Sequence, residues 1–247
     1  MTGLLDDTAA AVAGELDRYL RDAATSDRER GERPGQYKLD LVADEAALAV
    51  LRRGGVGILS EESGLEDPGA GVIVVVDPVD GSTNASRGLP WYAISLCAVD
   101  DEGPAAALVQ NLATGRRYSA VRGGGARCDG MPVRPSSRHR IDESLVVLNG
   151  RPPSHLGWRQ YRSLGATALD LCSVADGRVD GSIDCTDSQL GPWDYLGAAL
   201  VLEEAGAHLA DAQGRELVVL DHTARRTPIA AGTAELFDQL LELRARW

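Results

Sequence analysis

The sequence predicts a layered protein of mixed α and β structure, and three features carry that expectation. Val72 to Val76 is an unbroken β-branched run, the pattern of a strand covered on both faces. Leu5, Ala9, Val12, Leu16 and Leu20 recur at helical spacing, so the chain opens with an amphipathic helix. Beyond about residue 135 strand and helix patterns alternate, which is the texture of α/β layering.

The other elements follow in order. Residues 25–37 are charged, hold Gly31, Pro34 and Gly35, and lack periodicity; they predict a loop long enough to act as a lid. Ala43 to Arg53 predicts a helix stopped by Gly54-Gly55, and Gly57 to Ser60 a short strand that runs into Glu61-Glu62. Val72 to Val76 is expected to end before Asp77-Pro78. Tyr92 to Val99, Ala105 to Gln110 and Arg116 to Val121 predict further strands, the last two joined across Thr114-Gly115. Gly123 to Gly125 reads as a hairpin turn rather than a phosphate loop. In the second half, Ser144 to Leu148, Val179 to Ile183 and Pro228 to Ala231 predict strands. Thr167 to Ala175, Trp193 to Ala205 and Ala234 to Arg244 predict helices. The change of texture divides the chain into an N-terminal part, 1–135, with an antiparallel sheet, and a C-terminal α/β part, 136–247.

A formal charge of −12 argues against a partner such as nucleic acid, which needs a basic face. The same charge opposes an anionic substrate unless bound cations reverse the local field. Cys97, Cys128, Cys172 and Cys185 show no metal-binding spacing and read as free thiols of a reducing cytoplasm. The N-terminus lacks a basic, apolar leader, and no apolar run is long enough to span a bilayer, so no membrane association is expected.

The chemistry concentrates in acids at strand ends. Asp77 and Asp80 follow the buried run in Asp77-Pro78-Val79-Asp80-Gly81-Ser82-Thr83-Asn84, and Pro78 biases Asp77 toward extended backbone. By itself Asp-x-x-Asp-Gly is an ordinary turn. Ser60-Glu61-Glu62 repeats the arrangement, however, and Pro192-Trp193-Asp194 places another acid in the first turn of a helix. Three acid clusters with no basic partner nearby describe an all-oxygen, hard-cation site, for which Mg²⁺ is the expected metal. Gly81-Ser82 adds backbone N–H groups at a turn, suited to a phosphate.

These residues carry a family resemblance. D-P-V-D-G-S-T at 77–83, the preceding glutamate pair, and W-D-Y-L-G-A-A at 193–199 followed by E-A-G at 204–206 resemble the signatures of the inositol monophosphatase family. Asp40-Leu41-Val42-Ala43-Asp44, Gly123 to Ala126 before Asp129-Gly130, Ser163 to Ala168 and Ile229-Ala230-Ala231 match it in the same order. The compact length and K-L-D-L-V-A-D are closer to the short archaeal-type enzymes, some of which act on both inositol phosphates and fructose 1,6-bisphosphate.

The resemblance implies a five-layered α-β-α-β-α sandwich of the sugar-phosphatase type, commonly a homodimer, with two or three Mg²⁺ per site. Glu61, Asp77 and the Val79 carbonyl would hold one metal. Asp77, Asp80 and Asp194 would hold the second. Ser82 and Asp44 match the pair that positions the attacking water, with Glu61 beside them; Gly81 and Ser82 would meet the phosphate. Gly165, Ala166 and Thr167 match the segment against the alcohol portion, where Asp184 or, as the alternative, Asp187 would contact a hydroxyl. Two metals about 3.5–4 Å apart can neutralise a phosphate monoester and acidify a water, so no covalent nucleophile is required. The implied activity is hydrolysis of a small phosphorylated alcohol, inositol 1-phosphate first, with fructose 1,6-bisphosphate the runner-up. Histidinol phosphate or a 3′-phosphonucleotide would use the same chemistry. A non-catalytic binding or regulatory protein on this scaffold is one competing class, which loss of a ligand or of the Ser82 hydroxyl would favour, and none is missing; a calcium-buffering or structural metal protein is another, and it would not need Ser82 and Gly81 beside the acids.

Several residues stay outside the expected site. Glu62 reads as a solvated neighbour of Glu61, and the four histidines show no ligand spacing. Lys38 is singled out because 24 of the 25 basic residues are arginine. As part of a closing lid it would bring a compact ammonium to the phosphate.

Overall fold

The structure is a computed structural model that describes residues 1–22, 31 and 36–247. It begins with α1 (Thr2–Asp22) and α2 (Lys38–Arg53), packed side by side. The strands β1 (Gly57–Ser60), β2 (Gly64–Glu66), β3 (Ile73–Asp80), β4 (Ala93–Asp100), β5 (Gly103–Asn111), β6 (Arg117–Val121), β7 (Gly125–Cys128) and β8 (Met131–Pro132) form one sheet, with the short helix α3 (Ser82–Ala85) after β3. Their order is β2-β1-β3-β4-β5-β6-β7-β8. All neighbours are antiparallel except β1 and β3, so the N-terminal sheet departs from the purely antiparallel expectation at one pair. The remaining elements are β9 (Leu145–Asn149), β10 (Gln160–Arg162), α4 (Thr167–Ala175), β11 (Gly181–Asp184), α5 (Pro192–Ala205), β12 (His208–Asp211), β13 (Pro228–Ala231) and α6 (Ala234–Arg244). Here the second sheet runs β10-β9-β11-β13-β12.

Alternation along the strands builds the layers. On β3, Val74 and Val76 face a core shared with Leu5, Val12 and Leu16 of α1 and Leu39, Ala47 and Leu51 of α2. Ile73 and Val75 face the opposite way, into a core with Leu169 and Val174 of α4 and Leu196 and Leu200 of α5. Val147 of β9 and Ala230 of β13 join that same core, which therefore spans both parts of the chain. Val146 and Leu148 turn instead toward Leu236 and Leu240 of α6. Pleat periodicity thus covers both faces of both sheets, and the result is helix, sheet, helix, sheet, helix, as the five-layered expectation requires.

Most element boundaries move by one or two residues from the sequence reading, and those of β3 and α2 move further. β3 runs on through Asp77 to Asp80 with a bulge between them, because Asp77 and Asp80 stay paired to Ser95 and Ala93 of β4. The acids therefore lie within the strand rather than after it. α2 starts at Lys38, five residues before the apolar periodicity, since Tyr37 N–H donates to the Asp40 carboxylate and caps the added turn. Most of the segment 25–37, the proposed lid, lies outside the described residues. The glycine-rich turn before β7 is no phosphate loop: Gly123 and Gly125 N–H groups both donate to the Glu204 carboxylate, at 2.6 and 2.7 Å.

α5 lies unusually close to the larger sheet. A Cβ at Gly197 would meet Ser95 Oγ at 2.7 Å and the Leu96 carbonyl at 3.2 Å. Ser95 Oγ also donates to the Trp193 carbonyl, which pins the start of α5 to β4. Gly197→Ala should push the helix outward and destabilise the protein by about 1–3 kcal/mol, the usual cost of overpacking. It should also carry Asp194 away from the acids on β3. Thermal denaturation with and without a divalent cation checks this: wild-type stability and an undiminished cation-induced shift would contradict the close-packing role.

Candidate active site

Four chain segments deliver the acids to one place. β1 pairs in parallel with β3, with Ser60 opposite Val76. The next residue, Glu61, donates its N–H to the Val76 carbonyl and so arrives beside Asp77. The bulge in β3 lets Asp77 and Asp80 face the same region three residues apart. α5 supplies Asp194 from its first turn, where the carboxylate accepts the Gly191 N–H at 2.6 Å. α2 supplies Asp40, also from a first turn.

Asp77, Asp80 and Asp194 each offer an oxygen within 4.8 Å of the others. The acids line a cavity of about 320 Å³ together with Val79, Gly81 and Ser82. Burial, then the charge of Glu62, pushes Glu61 up to about 8, while its contact with Asp77 works the other way. Asp80 rises to about 7, also through burial, even though it accepts the Thr167 and Ala168 N–H groups at 3.1 and 2.7 Å. Asp77 and Asp194 are held well above the ordinary carboxylate range, by burial first and then by the charge of Glu61. Buried acids crowded in this way, without a cation paired to them among the described residues, are an oxygen donor set that fits a hard divalent ion.

Gly81 is required at its position. It sits at φ 87°, and a Cβ there would lie 2.9 Å from the Gly165 carbonyl and 3.0 Å from Ala166 Cβ. The turn leads from β3 into α3, whose first N–H groups lack intrahelical acceptors. Ser82 lines the cavity, and its hydroxyl has no protein partner among the described residues. Asn84 Nδ2 ties this turn to its surroundings by donating to the carbonyls of Trp91 and Leu164, at 2.7 and 2.8 Å.

Glu61, Asp77, Val79, Asp80, Asp194, Gly81 and Ser82 therefore converge as the sequence anticipated. Other residues of the expected set do not line the cavity. Asp44 lies one helical turn deeper than Asp40, where its two oxygens accept the hydroxyls of Ser60, at 2.5 Å, and Ser63. Asp40 takes the cavity position instead. Thr167 N–H is engaged by Asp80, Ala166 is buried, and the Gly165 carbonyl faces Asn84; none of the three lines the cavity. Asp184 is buried at the end of β11 against Asn149 and Thr186, and Asp187 pairs with Arg244, so neither reaches it. Lys38 is an exposed first residue of α2, outside the lining.

The cavity also contains residues that the sequence did not single out: Gln36, Glu62, Trp193, His222 and Arg225. Asp40 and Trp193 were visible inside the matched motifs. His222 and Arg225 carry no motif, and they arrive from the segment between β12 and β13. There His222 Nε2 lies 2.9 Å from the Glu61 carbonyl, and its ring is 4.9 Å from that of Trp193.

Comparison with known proteins agrees with this geometry. Residues 3–245 match the inositol monophosphatase family. A fructose-1,6-bisphosphatase/inositol-1-monophosphatase of Methanothermobacter thermautotrophicus is 33% identical over 228 residues, covering 83% of this chain and 81% of its own. The protein so described from Archaeoglobus fulgidus is 32% identical over 244 residues, 94% of each chain. Among solved structures, one described as an inositol monophosphatase–fructose 1,6-bisphosphatase superposes with a TM-score of 0.84 at 26% identity, covering 98% of both chains. A Pyrococcus horikoshii protein, described as similar to inositol-1 monophosphatase, has a TM-score of 0.83 at 24% identity. It covers 98% of this chain and 95% of that one, and so supports the fold. The signature acids, the layered fold and the match along almost the whole length together place this chain in the inositol monophosphatase family, as a phosphoric monoester hydrolase.

Proposed function

We propose that this protein is a Mg²⁺-dependent phosphatase of small phosphorylated alcohols, with inositol 1-phosphate the leading substrate. The observation that carries the reading is the buried cluster of Asp77, Asp80 and Asp194 with Glu61 against Asp77, opened to a cavity that also holds Ser82 and Gly81. Glu61, Asp77 and the Val79 carbonyl would hold one Mg²⁺, and Asp77, Asp80 and Asp194 a second. Bound there, the metal supplies charge neutralisation for the phosphate and acidifies a water. The turn at Gly81 and Ser82 presents N–H groups to phosphate oxygens. Ser82 Oγ, free of protein partners, is placed to hydrogen-bond the attacking water, and Asp40 rather than Asp44 is the carboxylate on that side. Fructose 1,6-bisphosphate is the second reading, favoured by the dual descriptions of the archaeal relatives. Four free cysteines support a reducing, cytoplasmic setting. A homodimer is the assembly we expect. Release of phosphate from a panel of monoesters, with and without Mg²⁺, tests the activity; no Mg²⁺-dependent release from any of them would refute it.

The raised carboxyl groups give the metal-free protein a characteristic pH dependence. An unfolded chain releases these protons near pH 4. The folded protein retains them until about pH 7 for Asp80 and about pH 8 for Glu61. Between those limits the folded state binds more protons, so stability falls as pH rises. Metal-free protein should therefore lose thermal stability from about pH 4 to pH 8. Saturating Mg²⁺ should flatten the decline, because ionised acids then face cations. A metal-free melting temperature that rises over this window would contradict the cluster's electrostatics.

Asp77→Asn should abolish turnover while raising the melting temperature of the metal-free protein, since it removes one buried acid from the repulsive group. Near-wild-type turnover in the folded variant would overturn the metal assignment.

Ser82→Ala and Asp40→Asn should each lower kcat by about 10²-fold or more at saturating Mg²⁺, within the usual range for proton-transfer assistance. Asp44→Asn should instead act mainly on stability, through Ser60 and Ser63. Steady-state kinetics and melting curves on the three variants separate these roles, and a kcat loss confined to Asp44→Asn would reverse the assignment.

A further inference from the structure

The cavity holds one cation that its carboxylates do not engage. Arg225 lines it beside Asp40, Glu61, Glu62, Asp77, Asp80 and Asp194, yet pairs with none of them. Nη1 donates to the carbonyls of His222 and Ala224, both at 2.8 Å. The guanidinium lies 5.1 Å over the ring of Trp193, and its charge reaches Asp194, whose ionised form it favours. Those contacts occupy one guanidinium nitrogen. Nε and Nη2 have no protein partner among the described residues. The wall behind is firmly placed, because His222 Nε2 meets the Glu61 carbonyl and the His222 ring packs on Trp193.

An arginine among six acids ordinarily closes onto one of them. Here two backbone carbonyls and an aromatic face hold it in place. Its open Nε–Nη2 edge is the one that grips two oxygens of a single anion side-on. We propose that Arg225 is a phosphate-binding residue of this cavity, its Nε–Nη2 edge taking oxygens of a substrate phosphate. The proposal rests on the phosphatase reading above. It adds a protein cation to a site otherwise dependent on metal for positive charge. The phosphate is either the group being cleaved or a second phosphate on the same substrate, and the two sources separate by experiment.

Wild type, Arg225→Ala and Arg225→Lys are compared in calorimetric titrations with inorganic phosphate in Mg²⁺, and in steady-state kinetics on inositol 1-phosphate and fructose 1,6-bisphosphate. If Arg225 holds the phosphate being cleaved, Arg225→Ala weakens phosphate binding at least about tenfold, and kcat/KM falls at least about tenfold on both substrates. If it holds a second phosphate, only KM for the bisphosphate rises by that factor. Arg225→Lys keeps the charge but loses the fork, so it recovers part of the loss; it also carries the comparison should the alanine variant not fold. Phosphate affinity and both kcat/KM values within about threefold of wild type in a folded variant would overturn the proposal. Failure of the phosphatase reading looks different: the wild type itself turns over neither substrate, while the phosphate titrations still decide the role of Arg225.

Discussion

Repulsion among buried acids is the constraint around which this structure is organised. Glu61, Asp77, Asp80 and Asp194 are brought together in a buried setting, and burial with mutual repulsion raises their proton affinities. A fold built only for stability would pair or disperse such groups. Here the rest of the chain holds them in place. β1 and β3 set Glu61 beside Asp77, a bulge aims Asp77 and Asp80 together, and Gly197 allows α5 close enough to add Asp194.

The layering makes that concentration tolerable. Apolar cores lie on both faces of the larger sheet, and Asp77 and Asp80 sit at one end of its interior strand β3. Asp80 also receives two backbone N–H groups from the start of α4, which couples a strand acid of the first sheet to a helix of the middle layer. Asn84 bridges the same two regions from the other side of the Gly81 turn. The site is therefore a junction of layers, and a displacement of any one of them reaches the carboxylates.

One wall of the cavity has a different character. Trp193, His222 and Arg225 form a stack of rings and guanidinium anchored to the backbone at Glu61. It faces the acids with the opposite charge and an open hydrogen-bonding edge. Acids and a cation share this cavity because Arg225 is held by the His222 and Ala224 carbonyls and the Trp193 ring rather than by a carboxylate.

The sequence by itself determined the layered class and the principal acids. Compact apolar runs locate α4, β13 and α6 to the residue, with Gly165 and Gly177 near the ends of α4 and Gly232 between β13 and α6. Asp77, Asp80, Glu61 and Asp194 were legible because each follows a buried run or opens a helix with no basic partner beside it. Tertiary structure alone decided three matters. The sequence pointed to Asp44; in the fold its oxygens accept the hydroxyls of Ser60 and Ser63, on β1 and the turn after it, and Asp40, one helical turn before it, lines the cavity. The segment Gly165 to Thr167 resembles a substrate loop, but its Thr167 N–H, with that of the following Ala168, donates to Asp80, which lies 87 residues before Thr167. His222 and Arg225 carry no local signal at all, since their place depends on the contact that brings the segment between β12 and β13 to Glu61, 161 residues from His222. Local pattern reports what a residue must bury; which carboxylate meets which hydroxyl, or which arginine stays open, is set by contacts between segments that the chain separates.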